Sequence, residues 1–133
     1  MIVLDASAVI ELLLCTPNGH RVAERIASPK QSLHAPHLID VEVAQVLRRY
    51  EATGVLASER AEEALADLAD LGLRRYPHDI FLSRVWELRK NLTAYDATYL
   101  ALAEALDAPL LTLDGRLSKA PGHRARVEVL GAR

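Results

Sequence analysis

Short apolar runs alternate with longer amphipathic stretches along the whole chain. Ile2–Leu4 ("IVL") is an unbroken apolar triplet, the pattern of a strand buried on both faces. Residues 7–14 ("SAVIELLL") continue as a predicted helix, ended by Pro17 and Gly19. Residues 20–28 predict a second helix closed by Pro29, and residues 32–35 ("SLHA") a second strand. Pro36 has its φ preset and no N–H to lose, so it suits the first turn of a helix over residues 37–53 that Gly54 stops. Ser58 is a favoured N-cap for a helix with Glu59, Glu62 and Glu63 near its start, ending at Gly72. Leu73–Tyr76 predicts a third strand, Pro77 and His78 open a helix reaching to about residue 90, and Thr93 opens another to Leu106. Residues 109–113 ("PLLTL") and 126–130 ("RVEVL") read as the remaining strands. Strands alternating with helices predict a mostly parallel sheet covered on both faces. Such sheets bind ligands beyond the carboxyl ends of their strands, near a topological switch point.

Composition narrows the class. A length of 133 residues suits one domain, expected to span residues 1–133, and a hydrophobic share of 50% excludes a disordered chain. The single cysteine, Cys15, excludes an internal disulfide framework, fits a reducing cytoplasm and is expected as a small buried hydrophobe. The start "MIVLDASAVIELLL" has no basic leader and carries Asp5 and Glu11, against a signal peptide. No run approaches the roughly 20 apolar residues of a membrane span. The expected setting is therefore the cytoplasm, without a membrane partner. A net charge of −2 gives no global nucleic-acid signature and leaves a local basic patch open.

Four carboxylates stand where such a sheet places chemistry. Asp5 follows the first strand, although an Asp there also serves as an N-cap. Glu42 shares a helix face with Leu38, Ile39 and Val46, where a charge is costly unless it meets a partner, a metal or water at the rim. Asp40 points elsewhere and is expected as a solvated first-turn acid favoured by the helix dipole. "TAYD" (residues 93–96) fits a capping box, yet Asp96 also shares its face with Tyr99, Leu100 and Ala103 and so looks inward. Asp114 follows "LLTL" and precedes Gly115, as in an Asp-Gly turn, with the Thr112 hydroxyl on the same side of the strand. In a parallel sheet these four positions converge at one end. Clustered carboxylates repel and raise at least one pKa, and a divalent cation relieves that repulsion. An all-oxygen donor set suits Mg²⁺ or Mn²⁺, and the matching chemistry is metal-assisted phosphodiester hydrolysis.

These residues resemble a known family. "VLDASA", "PHLIDVEVAQVLRR", "AYDATYLALAEAL" and "LLTLDGRL" look like the four motifs of PIN domains, and in order and spacing the whole chain is similar to VapC-type toxins of toxin–antitoxin pairs. The resemblance implies a three-layer α/β/α PIN-like fold with a central, mostly parallel five-stranded sheet. It implies a Mg²⁺- or Mn²⁺-dependent ribonuclease with Asp5, Glu42, Asp96 and Asp114 as catalytic and metal-holding acids, supported by Ser7 and Thr112. It also implies an RNA substrate, a homodimer and a cognate antitoxin that blocks the nuclease, in a dimer or a larger assembly. All four acids and the pattern T-x-D-x-x-L at residues 112–117 are intact.

RNA needs a positive path to such a site. "GRLSKAPGHRAR" (residues 115–126) begins beside Asp114 and offers Arg116, Lys119, Arg124 and Arg126; an ordinary solvated loop accounts for the segment equally well. The helix rich in Val43, Val46, Leu47 and Tyr50, with "VIELLL", is apolar enough to offer a groove or dimer face unless core packing consumes it. His34 and His37 are expected as structural or solvated, Trp86 as core, and Tyr95 and Tyr99 as packing residues able to stack a base. Two other readings stay open: a PIN-like module that binds RNA or protein without cutting, and a signalling receiver domain. The receiver needs a Lys placed by a late strand, and the sequence supplies only Lys119 in the predicted loop.

Overall fold

The computed structural model describes residues 1–131. Five strands, β1 (Ile2–Leu4), β2 (Leu33–Pro36), β3 (Leu73–Tyr76), β4 (Leu110–Thr112) and β5 (Val127–Val129), form one sheet in the order β3-β2-β1-β4-β5. Every pairing is parallel, with Val3 opposite both His34 and Leu110. The helices are α1 (Ala6–Leu13), α2 (Pro17–Arg25), α3 (Leu38–Ala52), α4 (Ser58–Asp70), α5 (Leu82–Glu87), α6 (Ala94–Leu106) and α7 (Arg116–Lys119). α1 packs on α2, α3 and α4, whereas α5 packs on α6 and α6 on β1, β2 and β4. Right-handed crossovers send the chain outward from β1 to β3 over one face and back to β4 over the other, which makes three layers. β1 and β4 lie at the centre, and all of Ile2, Val3, Leu4, Leu110 and Leu111 are buried. That explains their uninterrupted apolar runs. None of the helices is long and apolar enough to cross a membrane among the described residues.

Several boundaries differ from expectation. α2 begins at Pro17, not at residue 20: Thr16 caps it by accepting from the Gly19 N–H at 2.9 Å, and Pro17 sits in its first turn. Gly19 therefore lies inside the helix, where it lets α2 touch the end of α1. A Cβ there would stand 1.9 Å from the Glu11 carbonyl oxygen and 2.6 Å from its carbon. Because that neighbour is backbone, no rotamer relieves the clash. Gly19→Ala is expected to cost about 3 kcal/mol, the upper part of the overpacking range. Thermal unfolding followed by circular dichroism should show a Tm lower by on the order of 10 °C; an unchanged Tm would refute the close approach.

Pro36 ends β2 instead of opening α3, and Ser58 is the first residue of α4, whose capping position is Ala57. The predicted helix to residue 90 breaks up. A 3-10 turn, Asp79–Phe81, leads into the short α5, and turns carry the chain to Thr93. Val85 and Leu88 are buried against Ala97, but Trp86 is 67% exposed, with the Arg89 guanidinium stacked 4.6 Å over its ring. A two-turn helix can bury only one side, and Trp86 falls on the other. Cys15 is likewise exposed, in the left-handed region at φ 55°, where the chain turns between α1 and α2. Asp40 is not a lone solvated acid, because Arg75 of β3 grips both its oxygens at 2.7 and 2.9 Å.

Candidate active site

The order β3-β2-β1-β4-β5 reverses direction between β1 and β4, which makes their carboxyl ends the switch point. Asp5 closes β1 there. Its side chain makes the N-cap expected of it and also reaches across to β4. Oδ1 accepts from the Ala8 N–H at 3.1 Å, capping α1, and from the Ser7 hydroxyl at 2.7 Å. Oδ2 accepts from the Thr112 hydroxyl at 2.5 Å, on the last residue of β4. Ser7 Oγ and Thr112 Oγ1 in turn accept from the Leu113 and Asp114 N–H groups, each at 3.0 Å. Two hydroxyls thus lock the ends of both central strands around one buried carboxylate.

Glu42 stands early in α3, half-buried, and its Oε1 accepts from the Tyr99 hydroxyl of α6 at 2.5 Å. Tyr99 is thus more than packing, a role the sequence signalled only by its place on the Asp96 face. Burial first, then Glu42, pushes the Tyr99 phenol far up, so it remains a donor. Asp96 is half-buried in the first turn of α6, with Tyr99, Leu100 and Ala103 buried along its face as the periodicity predicts. Its N–H donates to Thr93 Oγ1 at 3.1 Å, and no return bond reaches the Thr93 backbone among the described residues, so the box is half made.

The electrostatics join the four acids. Burial is the largest cause raising the pKa of Asp5, Glu42 and Asp96. The charge of Asp96 raises both Asp5 and Glu42, Asp5 raises Glu42, and Asp114 raises Asp96. Asp114 itself is held below the usual carboxylate range by the Arg116 guanidinium. Asp96 is the charge at the hub of the group. The all-oxygen chemistry and mutual repulsion fit a hard divalent cation. As they stand, however, no three such side chains are grouped to hold an ion among the described residues. Asp5 is already engaged by hydroxyls, Glu42 by Tyr99 and Asp114 by Arg116, while Asp96 is eased by the Thr93 hydroxyl.

Of the basic residues singled out, Arg116 and Lys119 stand on α7 beside Asp114. Arg124 and Arg126 are carried away from the acids. The Arg124 N–H donates to Glu104, and Arg126 precedes β5 and pairs with Asp107 past the far end of α6. Leu110 donates to the Arg126 carbonyl, which puts that residue at the amino end of the sheet. His34 is buried within the sheet, sharing hydrogen bonds with Ser32 at 2.7 Å and Tyr76 at 2.6 Å, while His37 is exposed. Beside Glu42 a groove of about 380 Å³ runs between Leu38, Val41, Val46 and Tyr95. Val43 and Leu47 do not line it, because the core consumes them.

The PIN domain family matches residues 2–123, and the chain belongs to that family. Within it, the chain belongs with the VapC ribonucleases. It is 40% identical over 130 residues to ribonuclease VapC12 of Mycobacterium tuberculosis, covering 98% of this chain and 99% of that one. It is 45% identical over 118 residues to ribonuclease VapC9 of the same organism, covering 89% of each. Its fold is that of a toxin–antitoxin complex structure from Klebsiella pneumoniae, with TM-score 0.67, 20% identity and 97% of each chain covered.

Proposed function

We propose that this chain is a divalent-metal-dependent ribonuclease toxin that hydrolyses RNA phosphodiester bonds. What supports the reading is the mutual influence of the four acids, the Asp96 charge acting on Asp5 and Glu42 and itself feeling Asp114. Asp5, Asp96 and either Glu42 or Asp114 would hold Mg²⁺ or Mn²⁺, which when bound polarises a phosphoryl oxygen and acidifies water. Ser7 and Thr112 keep Asp5 oriented. Where Asp114 completes the ligand set, Glu42, with Oε1 tied to Tyr99 and its pKa raised by burial, would be left to take a proton from the attacking water through Oε2. The buried His34 is too far into the β2–β3 packing to serve as that base.

VapC12 and VapC9 are named ribonucleases, which supports the reaction class. The Klebsiella structure is a toxin–antitoxin complex, which supports a cognate antitoxin as partner. The apolar groove beside Glu42 is the surface that suits it. The exposed Ile80, Leu82 and Trp86 support a homodimer. The acids' lack of a ready ligand trio favours a second reading, a module that binds RNA without cutting. The test incubates purified, antitoxin-free protein with a mixed structured-RNA pool in Mg²⁺, Mn²⁺ or EDTA. Cutting is expected with either metal and is abolished by EDTA. RNA binding without cutting at saturating Mn²⁺ would select the second reading.

A further inference from the structure

Arg116 departs from the other cations near the acids. Its side chain is 85% exposed, yet its Nε and Nη2 are both bound to Asp114. Nε lies 3.0 and 3.1 Å from the two Asp114 oxygens, Nη2 lies 2.6 Å from Oδ2, and the backbone N–H donates to Oδ1 at 3.0 Å. Its charge also reaches Asp96, where it opposes the repulsion from Asp114. The chain thus answers its own acidic cluster with a guanidinium. The backbone beneath is fixed, since Leu117 is buried and donates to the Asp114 carbonyl at 3.2 Å. The side chain above it is not. An ion pair this exposed is weak and easily exchanged. A guanidinium fork fits phosphate oxygens as well as it fits carboxylate oxygens.

Resting on the nuclease reading, we propose that Arg116 is a positioning residue with two stations. Before a cation binds, it holds Asp114. When Asp114 turns to the cation, Arg116 swings to an RNA phosphate beside the cleaved bond. The same contact that offsets the Asp114 charge beside Asp96 in the free protein then becomes a grip on substrate. Cation binding must displace Arg116, so removing this side chain favours the cation and disfavours the RNA.

The two effects have opposite signs, and one is read without any cleavage. Mn²⁺ binding to the metal-free protein is measured by isothermal titration calorimetry without RNA, for wild type, Arg116→Ala, Lys119→Ala and Asp96→Asn. Arg116→Ala is expected to bind Mn²⁺ roughly two- to fivefold more tightly, the scale of an exposed ion pair. The gain should shrink in high salt. Lys119→Ala removes a neighbouring charge that does not touch Asp114, and should change Mn²⁺ affinity less. In cleavage assays Arg116→Ala should raise KM for RNA. Unchanged or weaker Mn²⁺ binding in Arg116→Ala, or an equal gain in Lys119→Ala, would overturn the two-station role. Asp96→Asn separates the levels: it should lose Mn²⁺ binding, and wild-type binding there would sink the acid-site reading itself.

Discussion

Asp96→Asn should abolish RNA cleavage and at the same time make the metal-free protein more stable. The loss of activity follows from the position of Asp96 in the cluster, where its charge acts on Asp5 and Glu42 and it feels Asp114. Even partners that only orient metal ligands cost about 10–100-fold when removed, so losing the central carboxylate should cost more than about 100-fold. The gain in stability follows from the sign of the linkage. A carboxylate whose pKa is raised in the folded state binds its proton more tightly there than in the unfolded chain. Its contribution favours folding below the unfolded value of about 4 and is lost as pH rises through the raised folded value. At neutral pH Asp5, Glu42 and Asp96 therefore oppose folding together. Replacing the hub by a neutral isostere relieves Asp5 and Glu42 as well. A gain on the order of 1 kcal/mol is usual when surface charges are optimised, equivalent to about 3–4 °C in Tm. Differential scanning calorimetry in EDTA measures it. Adding Mn²⁺ should then raise the wild-type Tm by mass action and leave Asp96→Asn unmoved. A variant that is less stable and still cuts would mean that Asp96 is only a helix-capping residue.

The candidate site has a plainer sequence signal than several helix ends. Asp5, Glu42, Asp96 and Asp114 each interrupt an apolar run or face, and a charge at such a position needs a reason that local pattern can expose. The strands were legible for the same cause: Ile2–Leu4 and the Leu110–Leu111 pair are apolar because both faces are covered. Helix starts were misread where two rules compete for one residue. Pro17 and Gly19 punctuate helices, yet Pro also suits a first turn, and Gly19 is required by the backbone of another helix. Cys15 was assigned to the core on residue type, and Trp86 together with its neighbours Val85 and Leu88. Burial depends on which side of a short helix or turn faces inward, and type does not encode that. The basic segment was misjudged in part because proximity in sequence to Asp114 decays quickly. Arg116 stays at the acids, while by Arg126 the chain has returned to the opposite end of the sheet.

Glu104 marks that far side, and its replacement should give the reverse phenotype: less stable but fully active. Its side chain is only 5% exposed and receives Arg84 Nε at 2.8 Å and Nη2 at 3.0 Å. The Arg124 N–H donates to it as well, at 2.6 Å, so one carboxylate joins α5, α6 and the segment entering β5. Removing one partner of a buried pair costs about 3–5 kcal/mol because the other is left uncompensated. Arg84 keeps some solvent and a bond to the Gly122 carbonyl, so Glu104→Ala should cost nearer about 2–3 kcal/mol, a Tm drop on the order of 10 °C. The pH dependence has the opposite sign to that of the acid cluster. Arg84 holds Glu104 below the usual carboxylate range, so its stabilisation is complete above the unfolded value of about 4.3 and is lost as pH falls through the folded value. The gap between wild type and Glu104→Gln in urea unfolding should therefore be widest near neutrality and close in acid. Glu104 lies eight residues along α6 from Asp96, about 12 Å at helical rise, and touches none of the four acids. Cleavage per folded molecule should hence equal wild type at a temperature where both are folded. Loss of cleavage in folded Glu104→Gln would instead mean that the order of α6 at its far end sets the geometry of Asp96.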